Sequence, residues 1–100
     1  MVEVYLQALK GKIFKILPTY EDDPEKSRRY IKLLHCELMG AASLFSGLQE
    51  KVDFIDILSI VSFLANDDSY NLPTLKQLVF SAIDNVKKLE SQFDFQEEGL

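Results

Sequence analysis

The sequence predicts an all-α protein, a four-helix antiparallel bundle in a single domain over residues 1–100. Apolar residues make up 47% of the chain, and in four separate segments they recur three and four positions apart, as on one face of a helix. Prolines, a glycine and acidic clusters separate these segments. A chain of 100 residues builds one hydrophobic core, and short connections favour antiparallel neighbours. The four helices are therefore expected to pack together.

The first helix is predicted over about residues 3–17. Leu6 and Ile13 belong to its apolar stripe, while lysines occupy the opposite side. The residue before a proline avoids helical geometry, so we expect the helix to end at Leu17, before Pro18. An acidic loop is expected to follow.

The second helix is predicted over about residues 24–46. Asp23 can cap its free backbone amides, and Pro24 suits the first helical position. An apolar stripe then runs from Tyr30 to Phe45 in steps of four and three. These signals predict a helix that begins sharply after the acidic loop.

The third and fourth helices are predicted over about residues 52–65 and 73–93. The third segment is the least polar, and its β-branched residues also raise a strand interpretation. Strict alternation of apolar and polar residues is absent, however, and the run is longer than most strands, so a helix is favoured. Residues 94–100 are predicted to form a short, flexible acidic tail.

The motifs of common enzymes are not found in the sequence. His35, Cys36 and Glu37 are adjacent, but neighbouring helical residues point about 100° apart and do not converge on one ion. We expect Cys36 to be a small apolar residue and His35 to lie at the core boundary. No glycine-rich phosphate loop or Gly-x-Ser-x-Gly elbow occurs. The chain is therefore predicted to be non-enzymatic, without a cofactor or metal; a small enzyme with an unrecognised site remains the alternative.

Asn66 opens an acidic segment, residues 66–71, that resembles the start of a calcium loop. A calcium-binding EF-hand loop beginning at Asp67 would require Gly and Glu where the chain has Leu72 and Leu78. We interpret this segment as a solvated connection that caps the next helix.

The net charge of −5 comes entirely from residues 51–100. An acidic protein lacks the basic field that displaces counterions from nucleic acid, so direct nucleic-acid binding is not expected. The single cysteine, Cys36, forms no internal disulfide, which favours a reducing compartment. The sequence contains no apolar run long enough to cross a membrane and its N-terminus does not have the pattern of a secretory signal. We therefore expect a cytoplasmic location and no membrane association.

A basic face is one of two candidate contact surfaces. Lys10, Lys12 and Lys15 are predicted to lie on the solvent side of the first helix, near the basic start of the second, at Arg28. Such a face either binds an acidic partner or is simply solvated, since most runs of charge only face water.

The second candidate surface is a surplus of apolar residues on the third helix. Val52, Ile55 and Phe63 lie off the main stripe. Phe80 adds to this surplus, as do Tyr70 and Phe95, which are expected to be exposed. Exposed apolar patches on small proteins usually mark contact surfaces. We predict a homo-oligomer, a dimer, or a dedicated protein partner. The residues predicted to bind it are Val52, Ile55, Asp56, Phe63, Asp67, Asp68, Tyr70, Lys10, Lys12 and Lys15.

The opening of the chain carries a resemblance to a known group. Residues 5–18 (YLQALKGKIFKILP) and the acidic loop after them resemble the start of small uncharacterised helical proteins encoded by phages and prophages of Gram-positive bacteria. The resemblance implies expression in the cytoplasm of a bacterial host cell. It also implies an accessory protein that binds and modulates or inhibits a host protein, for example a defence nuclease. A structural or assembly component of a phage particle or replication complex is the alternative, and no site residues follow from the resemblance.

Overall fold

The computed structural model describes residues 2–45, 47–67 and 69–98, with side chains described up to Gln92. Within these residues the chain is helical and has no strand. The elements in chain order are α1 (Val2–Phe14), α2 (Ile16–Asp22), α3 (Pro24–Leu44), a 3₁₀ turn (Leu48–Glu50), α4 (Val52–Asn66) and α5 (Leu72–Glu98). The prediction of an all-α fold is confirmed.

The first arm of the bundle is a broken helix, so the predicted end at Leu17 is wrong. Helical backbone continues through Pro18 to the end of α2 at Asp22, and the break lies earlier, at Lys15. Proline has no N–H to donate to the carbonyl four residues back, which belongs to Phe14. The helix is therefore interrupted one turn before the proline, and α1 and α2 follow each other as one arm.

A single residue, Asp23, joins α2 to α3 in place of the expected acidic loop. Its extended backbone (φ −160°) reverses the chain, and its side chain accepts a 3.0 Å hydrogen bond from the Glu25 amide. The predicted cap and the predicted start at Pro24 are confirmed. The C-terminal end of α3 is at Leu44, two residues before the predicted position.

Gly47 and the 3₁₀ turn connect α3 to α4; the sequence predicts the interruption at Gly47 but not the 3₁₀ turn. Gly47 has φ +88°, a left-handed conformation that costs glycine little. It brings Leu48 into the core, where this side chain is fully buried. The connection thus contributes to the core as well as reversing the chain.

The packing order is the α1–α2 arm, α3, α4 and α5, with α5 closing back on α1. Ion pairs and hydrogen bonds show that neighbouring helices run antiparallel: Lys10 of α1 contacts Glu90 of α5, and Asp53 of α4 contacts Gln92 of α5. The helices α1 and α3 also run antiparallel, but they meet through side chains and leave a groove between them. The result is a four-helix bundle whose first arm is broken.

Most of the fully buried side chains come from the predicted stripes, but Ile31, Leu48 and Phe54 are buried at positions that no predicted stripe contained. The fully buried side chains include Leu6, Leu9, Ile13, Ile16, Ile31, Leu38, Leu48, Phe54, Ile57, Val61, Val79, Val86 and Leu89. The helix predicted over 52–65 is confirmed as Val52–Asn66. The fourth helix is longer than the predicted 73–93, since α5 continues to Glu98 into the segment expected to be a tail. The flexibility expected of residues 94–100 stays a prediction.

Candidate protein-contact surfaces

A shallow apolar groove of about 560 Å³ lies between α3 and α4. Its lining consists of His35, Met39, Ile55, Leu58, Ser59, Ser62 and Phe63. We call it the α3–α4 groove. Met39, Ile55 and Phe63 are 53%, 47% and 45% exposed, although each is large and apolar. This surface leaves three such side chains in water on adjoining helices.

The periodicity of α4 explains why apolar side chains face outward. Phe54, Ile57 and Val61 point into the core and are at most 1% exposed. Ile55 and Phe63 lie about a quarter turn or more from that stripe, so the bundle cannot bury them. The predicted apolar surplus of this helix is confirmed for both residues.

Two further predicted contact residues of α4 are also exposed. Val52 is 70% exposed at the first turn, outside the lining of the α3–α4 groove. Asp56 is exposed one position after Ile55. The exposed side of α4 therefore carries a carboxylate next to its apolar residues.

The connection between α4 and α5 contributes less to a contact surface than the sequence predicted. Tyr70 is half-buried: its ring lies 6.2 Å from that of Tyr20, and its hydroxyl donates to the Leu64 carbonyl at 3.4 Å. Its expected exposure is wrong, because the aromatic ring closes the end of the bundle. Asp68 lies outside the described residues, and so does the side chain of Phe95.

Two hydrogen bonds join Ser69 to the side chain of Asp67. The Ser69 hydroxyl and amide donate to the Asp67 carboxylate at 2.6 and 2.9 Å. These hydrogen bonds lower the pKa of Asp67, because they stabilise its charged form. Arg28 and Lys32, at the start of α3, line a 150 Å³ polar recess with Asp67. The carboxylate thus lies at the end of the bundle, beside basic residues.

The three lysines of the predicted basic face point in different directions. Lys10 forms a 2.8 Å ion pair with Glu90 on α5, while Lys12 forms a 2.7 Å ion pair with Glu37 on α3. Two of the three charges are thus neutralised within the chain, on opposite sides of α1. The expectation of one solvated basic face is wrong, since α1 is flanked by acidic residues on both neighbouring helices.

Lys15 belongs to a second groove, of about 450 Å³, between α1 and α3. Its lining consists of Ala8, Gly11, Lys12, Lys15, Tyr30, Leu33, Leu34 and Glu37. We call it the α1–α3 groove. The Lys15 ammonium lies 5.8 Å from the centre of the Tyr30 ring, in a cation–π contact. The sequence analysis did not predict this groove. The one signal that could have indicated it was Leu33, which lies off the α3 stripe and is 71% exposed.

Glu37 contributes a negative charge to the α1–α3 groove, at the end near Tyr5. It accepts a hydrogen bond from the Tyr5 hydroxyl at 3.4 Å in addition to its pair with Lys12. Burial, followed by the negative charge of Glu37, raises the pKa of Tyr5 and also that of Tyr30. Both phenols therefore stay protonated well into the alkaline range.

Phe80 of α5, another residue of the apolar surplus, is 49% exposed and has an aromatic neighbour. Its ring lies 6.3 Å from that of Phe14 on α1, which is 50% exposed. The two rings cover each other in part. They lie on the α1–α5 side of the bundle, opposite the α3–α4 groove.

The adjacent His35 and Cys36 point to different surroundings, as their helical positions require. His35 is half-buried in the α3–α4 groove, whereas Cys36 is an exposed free thiol, so the small apolar role expected for it is wrong.

Among the described residues, no three His, Cys, Asp or Glu side chains are placed to hold a metal ion. In the same part of the chain, no helix has the length and apolar character needed to cross a membrane.

Comparison with models of known protein families, with curated proteins and with solved structures gives no match for this chain. The two grooves and their side chains are therefore the basis on which a function is proposed.

Proposed function

We propose that this chain is a non-enzymatic protein-interaction module and that the α3–α4 groove is its contact surface. The observation that carries the proposal is the exposure of Met39, Ile55 and Phe63 around one groove. Burying such side chains against a second protein removes apolar surface from water, worth about 25 cal/mol per Å². Large aromatic and Met side chains are also enriched in protein interfaces.

The polar residues of the groove support binding rather than catalysis. His35, Ser59 and Ser62 are its hydrogen-bonding side chains, and its walls are otherwise apolar. A general acid–base pair needs two titratable groups whose surroundings separate their pKa values, and among the described residues of the lining His35 is the only titratable one. The groove is therefore suited to receive side chains of a partner.

The resemblance of residues 5–18 to phage and prophage proteins supports a biological setting for the module. In that setting the chain is an accessory protein in the cytoplasm of a bacterial host, where it binds and modulates or inhibits a host protein such as a defence nuclease. A second candidate is an assembly component of a phage particle or replication complex. The exposed apolar residues Val52, Ile55 and Phe63 of α4 support this second candidate, because assembly components contact other protein chains through such surfaces.

Photo-crosslinking from the groove tests the proposal. In a Phe63→p-benzoylphenylalanine variant, illumination joins the ring to whatever contacts it, in purified protein or in an extract of Gram-positive cells. The matched control places the same group at Leu44, which is 76% exposed on α3 and lies outside the groove lining. We expect a protein adduct from position 63, and we expect Ile55→Asp to remove it. Equal, background-level adducts from both positions would refute the proposed contact surface.

Salt dependence identifies the force that drives binding at this surface. Apolar contacts change little with ionic strength, whereas binding driven by charge weakens steeply as salt screens it. Once the adduct partner is identified, we expect its affinity, measured by calorimetry, to be nearly constant between low and high salt. A steep loss of affinity would instead assign binding to charged residues.

A further inference from the structure

We propose that the α1–α3 groove is a binding site for a small amphiphilic carboxylate, a molecule with one acidic head group and an apolar tail. The site is separate from the α3–α4 groove, so this proposal does not depend on the proposed function. The groove volume of about 450 Å³ lies within the range of small-molecule sites, about 300–1,000 Å³.

Lys15 supplies the positive charge that would hold the head group. Its ammonium lies over the Tyr30 ring, and no carboxylate among the described residues forms an ion pair with it. The Tyr30 ring is held in position, because its hydroxyl donates to the Lys12 carbonyl at 2.6 Å. A carboxylate at this end of the groove would accept a charge-assisted hydrogen bond from the ammonium.

The other two charged residues of the lining neutralise each other. Lys12 and Glu37 form a 2.7 Å ion pair, and the second oxygen of Glu37 accepts from the Tyr5 hydroxyl at 3.4 Å. The net charge of the lining is therefore that of Lys15, although the whole chain carries −5. The groove thus favours an anion against the sign of the overall charge.

The free cation and the neutralised carboxylate lie toward opposite ends of the groove. Tyr30, beside Lys15, and Glu37 are seven residues apart on α3, about 10 Å at 1.5 Å per residue. Ala8 is likewise seven residues before Lys15 on α1. With its head group at Lys15, the tail of a medium-chain acid such as octanoate would extend along this length.

The walls between the two ends suit an apolar tail. Leu33 is 71% exposed on the α3 side, and Leu34 is nearly buried beside it. On the α1 side, the lining residues Ala8 and Gly11 are small, so a tail can approach the helix closely. Contact between the tail and Leu33 would remove apolar surface of both from water.

Gly11 keeps the α1 side of the groove open. A glycine inside a helix is less favourable than alanine, and here an added Cβ would meet no atom within 4 Å. Packing within the chain therefore does not require a glycine at this position. A side chain there would occupy part of the groove, since Gly11 belongs to its lining.

Titration with two amphiphiles that share one tail tests the site. Octanoate and octylamine are added to isotope-labelled protein below their micelle concentrations, and amide NMR shifts report affinity and position. We expect saturable shifts around Gly11 and Leu33 with octanoate, and binding of octylamine that is at least about fivefold weaker. Non-specific attraction to a chain of charge −5 would favour octylamine instead. Equal or tighter binding of octylamine, or octanoate shifts centred on the α3–α4 groove, would overturn the proposal.

Lys15→Gln removes the charge that would hold the head group. We expect about fivefold weaker octanoate binding in this variant, and recovery of most of the affinity in Lys15→Arg, which keeps the charge. Lys88→Gln, at an exposed position on α5, removes the same charge outside the groove and should leave the affinity unchanged. Equal affinities of Lys15→Gln and Lys88→Gln would rule out the assigned head-group contact.

Gly11→Leu fills the proposed site without removing a contact within the chain. We expect it to abolish octanoate binding while the protein stays folded, because leucine has the higher helix propensity. Gly40→Leu is the matched control, since Gly40 is equally open and lies outside the groove lining. Urea unfolding confirms that both variants fold. Undiminished octanoate binding by folded Gly11→Leu would refute the site.

Discussion

The Tyr30 hydroxyl donates a 2.6 Å hydrogen bond to the backbone carbonyl of Lys12, and this bond joins α3 to α1 just before the break at Lys15. Backbone packing between α1 and α3 is replaced by a groove, so side-chain bonds of this kind hold the two helices together. Together with the neighbouring ion pair between Lys12 and Glu37, this hydrogen bond fixes the width of the α1–α3 groove.

We expect Tyr30→Phe to lower the free energy of unfolding by about 1 kcal/mol, the net worth of one hydrogen bond. The ring and its contact with Lys15 remain in this variant. Tyr20→Phe is the matched control, since the Tyr20 hydroxyl makes no hydrogen bond with the described residues, and its change should stay within about 0.5 kcal/mol. Urea unfolding measures both. Equal losses in the two variants would contradict the role assigned to the bond.

The raised pKa values of Tyr5 and Tyr30 make stability depend on pH in the alkaline range. Unfolded tyrosine loses its proton near pH 10, where the folded protein still holds it, so unfolding releases protons. Stability is therefore complete below about pH 10 and falls as the pH rises beyond it. Tyrosinate absorbance and chemical unfolding across this range measure the effect.

Glu37→Gln removes the negative charge that contributes to both shifts. We expect it to lower the pKa of Tyr5 and of Tyr30, so that tyrosinate appears at lower pH than in the unmodified protein. Glu50→Gln, exposed in the 3₁₀ turn, is the control and should leave the absorbance titration unchanged. An unchanged titration in Glu37→Gln would contradict the influence of that carboxylate.

Ser27 is a buried polar residue of α3 whose hydroxyl lacks a hydrogen-bond partner among the described residues. Its side chain is fully buried. We expect Ser27→Ala to stabilise the protein by about 1 kcal/mol more than the exposed control Ser81→Ala, because it removes the desolvation cost of an unpaired hydroxyl. The control accounts for the higher helix propensity of alanine. Thermal and urea unfolding would show the opposite sign if that hydroxyl is paired in solution.

Two glycines are expected to respond to alanine in opposite directions. Gly40 lies within α3, and an added Cβ would meet no atom within 4 Å, so Gly40→Ala should stabilise by about 1 kcal/mol. Gly47 has φ +88°, so Gly47→Ala should destabilise by about 1–2 kcal/mol. Urea unfolding of the two variants measures both changes. Stabilisation by Gly47→Ala would contradict the left-handed turn.

The amino-acid sequence by itself determined the class of the fold and most of the core. The apolar spacing of each segment is a local property, and so is the cap that Asp23 provides for α3. The exposure of Ile55 and Phe63 also followed from the sequence, because their positions lie off the stripe that contains Ile57 and Val61.

Only the tertiary structure decided which charged residues of different helices lie beside one another. Lys10 and Lys12 find acidic partners on α5 and α3, residues that are distant in sequence. The two grooves depend on the spacing between neighbouring helices, and helical periodicity within one segment contains no information about the distance to the next helix.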